Sequence, residues 1–312
     1  MMEENIRRMR ATIKRIRTIY WFQGVRIRLG APTAYAVERL IEPEGFRQNN
    51  AGKYFHSNKW TSYRHGLTTP RVALVVRANG LVPGSAKELN HVLWKALDVS
   101  SNALRDGPGW LRQLAPGLQL LVFTEDDQVC TYGGRHFFAR LERLASLDAL
   151  ACLTILLRMN LANGEFAQAW TVAASTFRVL LMLGGKFKER GLSDAIFSLY
   201  VEQIFSLSKW DGQCFHLKKY DFCLWASVLY NAAAMGIADK GRSPSWSEEV
   251  QQMIRILDGK KGLHVKLLFD PITGPDQDFG PLSAAAQLAL NSRVSLRVRS
   301  MDKFESGNDF EV

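Results

Sequence analysis

The sequence predicts a mainly α-helical protein, and two observations carry that prediction. Apolar residues recur at three- and four-residue steps through most of the chain, the spacing that lines one face of a helix. Between these stretches lie short connections holding Gly, Pro or Asn, without a regular series of strands. The charge is also unevenly divided. Residues 1–98 carry 17 Lys and Arg against 7 Asp and Glu, whereas the remainder carries 23 of each, so the whole formal charge of +10 belongs to the first third. On this basis the chain divides into a basic region at 1–105, a larger all-α body at 118–301 and a flexible tail at 302–312.

At 312 residues the chain is long enough to bury a large core, and 47% apolar with 22% charged content is ordinary for a globular protein. A basic region joined to a neutral body points to a polyanion, either nucleic acid or an acidic membrane surface; a merely solvated basic face is the alternative. Cys130, Cys152, Cys214 and Cys223 show no paired spacing, which fits a reducing cytoplasm rather than a disulfide framework. The N-terminus has no apolar signal segment, and the apolar run at 147–157 is too short to cross a bilayer. Integral membrane insertion is therefore not expected.

Taken in order, residues 3–20 read as a helix. Ile6, Met9, Ile13, Ile16 and Tyr20 form its apolar stripe, and Arg7, Arg8, Arg10, Lys14, Arg15 and Arg17 fill the other faces. Residues 21–29 alternate apolar and basic side chains, the pattern of a short strand or extended arm. Pro32 and Thr33 open a helix through Ala34, Val37, Leu40 and Ile41, closed by Pro43 and Gly45. Residues 46–55 read as a loop or a poorly formed helix.

Ser57 or Asn58 is placed to cap the next helix, where Trp60 and Tyr63 share a face and Gly66 ends the helix with positive φ. Thr69 and Pro70 start another, with Val72, Val75 and Val76 as its apolar face and Asn79-Gly80 as its stop. Pro83-Gly84-Ser85 begins a third, with Leu89, Val92, Leu93 and Leu97 inward.

The pattern Trp60-x-x-Tyr63-x-x-Gly66-x-x-x-Pro70, followed by an apolar helix, resembles the recognition helix and exit turn of phage-repressor-type helix-turn-helix domains, the Cro/cI or XRE-like class, over residues 57–97. It departs from that family at Asn49, Asn50, Ala51 and Gly52, where the family has a helix with Ala and spaced aliphatics. The resemblance implies a helix-turn-helix-like region supported by Trp60, Tyr63, Gly66 and Pro70. It makes Asn58, Lys59, Thr61, Ser62, Arg64 and His65 available to a groove, with Arg71 and Arg77 adding backbone contacts. Asn and Arg suit base edges, and Lys and Ser suit phosphates. The partner implied is nucleic acid, DNA rather than RNA, and the function implied is transcriptional regulation. The same residues also suit an ordinary helical hairpin with Trp60 and Tyr63 in its core.

The breaker-rich interval formed by 106–109 and 115–117 marks the expected domain boundary. Residues 118–123 read as a short strand and 124–127 as a turn. Helices follow over Phe137 to Leu144, 147–161, 166–183, 192–207, 222–235 and 246–257; 264–269 reads as a strand or a helix end, 270–281 as a loop and 282–301 as helix. Such a body suits oligomerisation or a protein partner. Cys214, His216 and Cys223 match no zinc spacing, and Asp270, Asp276 and Asp278 lack the alternation of a calcium loop. No phosphate loop or nucleophile elbow occurs, so no catalytic residue, metal or cofactor is assigned. The rival to a DNA-binding protein is a non-enzymatic helical adaptor that meets an acidic protein partner.

Overall fold

The computed structural model describes residues 2–48, 54–55, 58–237, 244–276 and 284–305. The fold is mainly α. Helix α1 (Met2–Arg28) is 27 residues long and continues through the segment expected as a strand. The reason is a change of buried face. Met9, Ile13, Ile16 and Tyr20 lie on one side of the helix and enter the larger core, whereas Trp21, Phe22 and Val25 lie on the other side and enter a smaller one. Apolar groups on both sides of one helix produce an alternation that resembles a strand.

The smaller core is completed by α2 (Ala34–Ile41), α3 (Lys59–Arg64), α4 (Val72–Leu81) and α5 (Ser85–Leu89). Thr33 caps α2 by accepting from the Ala36 N–H. Between α2 and α3, β1 (Arg47–Gln48) pairs antiparallel with β2 (Tyr54–Phe55), where a loop or a poorly formed helix was expected. In α4 the inward residues are Leu74, Val75 and Ala78; Val72 and Val76 are 80% and 64% exposed, which corrects the expected apolar face. The single helix expected after Pro83 is two: α5, then α6 (Leu93–Ala96), broken at 90–92.

The interval expected as a boundary is helical. It forms α7 (Ala103–Leu111), capped by Asn102, and α8 (Pro116–Val122), where a strand was expected. Gly107 faces α10 (Leu147–Ala162): a Cβ there would lie 2.8 Å from Met159 Sδ, so the missing side chain allows close approach rather than a break. Residues 149–160 of α10 are buried on every side. That includes Arg158, whose guanidinium donates to the Ala96 carbonyl at 2.7 Å and to the Ser101 carbonyl at 2.6 Å. A buried cation satisfied by carbonyls ties the α6–α7 junction to the central helix.

On α10 pack α9 (Gly134–Leu144) and α11 (Phe166–Glu189); α12 (Ser193–Gln203), α13 (Lys219–Met235) and α14 (Trp246–Leu257) pack on α11, and α15 (Leu263–Phe269) packs on α14. Among the described residues α11 alone is long and apolar enough to cross a membrane, and 61% of its apolar window is buried against its neighbours. Ser245 and Glu248 form a reciprocal capping box at the start of α14. The 264–269 segment is helix, in α15. The expected loop after it supplies β5 (Thr273–Pro275), which joins β3 (Lys209–Trp210) and β4 (Gln213–Phe215) in a small antiparallel sheet of order β3-β4-β5. Helix α16 (Ala284–Glu305) runs past the expected start of the tail, and residues 306–312 lie outside the described residues.

Candidate nucleic-acid interface

The groups expected to read a groove are only partly free. Lys59 Nζ lies 2.6 Å from Glu42 Oε1, and the Trp60 indole N–H donates to the other oxygen of Glu42 at 2.9 Å. Arg77 pairs with Glu44. Asn58, Thr61, Arg64, His65 and Arg71 are exposed, and Ser62 is half-buried. Asn58 takes a left-handed conformation and makes no side-chain cap bond, contrary to the expected capping; Ser57 lies outside the described residues. Trp60 and Tyr63 are buried, with Trp60 stacked on Trp21 at 5.6 Å between ring centroids. Pro70 is also buried, two residues before α4 rather than at its first position.

The two-helix geometry of a helix-turn-helix joins its helices by a turn of a few residues. Here α2 ends at Ile41 and α3 begins at Lys59, with the β1–β2 pair between them. Asn49, Asn50, Ala51 and Gly52 lie outside the described residues, between the strands Arg47–Gln48 and Tyr54–Phe55. The helix-turn-helix arrangement thus has no support from the described residues.

The fold instead gathers charge on α1. Arg7, Arg8, Arg10, Lys14 and Arg15 are exposed along it, and Arg17 is half-buried. Arg8 pairs with Glu4 and Arg10 with Asp98, whereas Arg7, Lys14, Arg15 and Arg17 have no ion pair among the described residues. From Arg7 to Arg17 this ridge is about 15 Å long at the helical rise. Arg64 and His65 join it through Gly66. That residue has φ +65° and packs so closely on α1 that a Cβ would lie 2.6 Å from Arg15 Cγ.

On its other flank the ridge borders a groove of about 440 Å³, lined by Arg10, Lys14 and Arg17 of α1 and by Asn90, Trp94, Lys95 and Asp98 opposite. The Nε of Arg17 is buried there without a hydrogen-bond partner. That nitrogen is covered, so an anion in the groove would meet the rest of the Arg17 guanidinium. Asp98 does not supply one. Burial acts to raise its pKa, but hydrogen bonds from Ser100 and Arg10 outweigh this and hold it below the usual value, ionised and committed to Arg10. The groove wall is tied by side-chain hydrogen bonds. His91 Nδ1 accepts the Leu93 N–H at 3.2 Å, which leaves Nε2 to donate to Asp148 at 2.7 Å. The Trp94 indole N–H donates to the Glu88 carbonyl at 2.9 Å.

The spacing of Arg10, Lys14 and Arg17 was visible as a basic helix face. Their facing wall was not, because Asn90 and Lys95 reach it only through the α5–α6 break. Elsewhere Cys214 Sγ lies 3.4 Å from His216 Nε2, while Cys223 bonds Asp194 at 3.0 Å. Asp276 meets Lys209 at 3.0 Å, and Asp278 lies outside the described residues. No group of three His, Cys, Asp or Glu that could hold a metal occurs among the described residues. Comparison with protein-family models, curated proteins and solved structures finds no match for this chain.

Proposed function

We propose that the protein binds nucleic acid, DNA rather than RNA, through phosphate contacts along the α1 ridge. Arg64 and His65 extend the contact at the end of α3. The observation that carries this reading is the convergence of unpaired Lys14 and Arg17 on one cationic groove. Phosphate contacts position a protein on a duplex but carry no sequence information. Base reading falls to exposed Asn58, Thr61 and Arg64. In this reading the protein is a cytoplasmic DNA-binding regulator whose helical body meets a partner or a second copy.

The test is a fluorescence-anisotropy titration of a random duplex over a range of salt. Affinity should fall steeply with salt, and Lys14→Gln with Arg17→Gln should reduce the slope of log K against log salt by about 2, from about 0.9 per phosphate. Circular dichroism should be unchanged. No binding at low salt, or an unchanged slope in the double variant, would overturn the proposal. The helical adaptor remains a second reading, favoured by Val72 and Val76, which share an exposed face of α4. Poly-glutamate binding as tightly as the duplex at equal ionic strength would favour it.

A further inference from the structure

A second cavity, of about 540 Å³, lies in the helical body between α9, α11 and the α14–α15 corner. Its size is that of a small-ligand pocket. Helix α9 presents Arg135, Phe138, Glu142 and Arg143 to it, at spacings that fall on one helical face. Helix α11 adds Thr171, Ser175 and Arg178. Arg178 is fully committed: it donates to Glu142 at 3.0 Å, to the Leu257 carbonyl at 3.0 Å and to Asp258 at 2.6 Å. This pairs both carboxylates of the cavity with one shared cation and holds them in its floor. Arg135, Arg143 and Lys266, which also line it, make no ion pair among the described residues. Tyr132 stands at the rim, 47% exposed, with its ring 5.7 Å from that of buried Phe138.

A preorganised floor, three uncommitted cations and an aromatic rim form a complementary set. We infer that this cavity binds a phosphorylated small molecule bearing a planar ring, of the mononucleotide class. Arg135, Arg143 and Lys266 hold the phosphate by charge-assisted hydrogen bonds, and the ring lies against Tyr132. Thr171 and Ser175 also line the cavity, with the Thr171 hydroxyl donated to the Ala167 carbonyl at 3.2 Å. Burial also raises the Glu142 carboxyl above its usual range, against the pull of Arg178. The site is independent of the α1 ridge, and the inference stands whether or not the protein binds DNA.

The test is isothermal titration of the full chain with AMP, GMP, CMP and UMP, with adenosine and inorganic phosphate as partial ligands. At least one mononucleotide should bind more tightly than either partial ligand. Arg135→Ala with Arg143→Ala should weaken it about tenfold or more, as loss of charged hydrogen bonds does. Both arginines are exposed and unpaired, so the variant should keep the wild-type melting temperature. The Lys14→Gln, Arg17→Gln variant should bind the mononucleotide as the wild type does. The inference is overturned by an absence of heat with all four mononucleotides at millimolar concentration. It is equally overturned if adenosine or phosphate alone binds as tightly, or if affinity is lost in the Lys14, Arg17 variant and kept in the Arg135, Arg143 variant.

Discussion

Gly66 and Gly30 both hold left-handed backbone, with φ +65° and +61°, yet they meet different surroundings. A Cβ at Gly30 would find open space, whereas at Gly66 it would overlap Arg15 Cγ and the Arg15 carbonyl oxygen, at 2.6 and 2.7 Å. Gly30→Ala should therefore cost only the backbone strain, about 1–2 kcal/mol. Gly66→Ala should cost more, because α3 must also move off α1. Equal losses in urea unfolding would mean that the α3–α1 contact contributes nothing. Asp148 gives a second prediction. Burial pushes its carboxyl up, but hydrogen bonds from His91 and Lys87 prevail and hold the pKa below the ordinary value. Its stabilisation is thus present above the unfolded value of about 3.9 and lost as pH falls through the lower folded value. Asp148→Asn should be less stable than wild type at pH 6, with the gap narrowing below about pH 4. A gap unchanged down to pH 2.5 would argue against it. At this scale the sequence revealed what is local: the shared face of Trp60 and Tyr63 and the positive φ of Gly66 belong to one helix and its turn. It did not reveal that Lys59 and Arg77 are taken by Glu42 and Glu44, since those pairs form only once α2 and its following turn fold beside α3 and α4.

Among the elements, the long helices of the body were legible because each buries a stripe or a whole circumference over several turns. Those misread were short or shared. The glycines around Pro108 suggested a break, but Gly107 is there to let α7 touch Met159. Helix α1 serves two cores on opposite faces, and periodicity that changes face halfway reads as two elements. Its continuity is testable with Gln23→Pro. In a continuous helix proline removes the bond to the Ile19 carbonyl and clashes with it, at a cost of about 3 kcal/mol or more. The helical signal should fall, and the Trp21–Trp60 stack should loosen as a change in tryptophan emission. In an extended arm the same change would cost little. Gln23→Ala separates this from loss of the Gln23 side chain, which accepts a bond from Arg26 at 2.7 Å.

For the whole molecule, the consequence of a shared α1 is that the basic region leans on the body. Met9, Ile13, Ile16 and Tyr20 enter the larger core together with Val92, Leu93, Trp94 and Leu97, all from the first 105 residues. Arg190, at the end of α11, secures the junction. Its guanidinium sits 3.8 Å over the Tyr20 ring, donates to the Tyr20 carbonyl at 3.0 Å and reaches Glu88 at 3.2 Å. Glu88 in turn holds Arg28 at 2.8 Å. A fragment of residues 1–105 would expose that apolar row to water and leave Glu88 without one of its two cations. The smaller core alone, built around Trp21 and Trp60, is small for a domain to rest on. The fragment should therefore lack a cooperative thermal transition and should bind a hydrophobic dye, while the full chain melts sharply. A fragment that unfolds cooperatively near the melting temperature of the full chain would show that the smaller core is sufficient. The body would then be an attachment to the charged ridge, not its foundation.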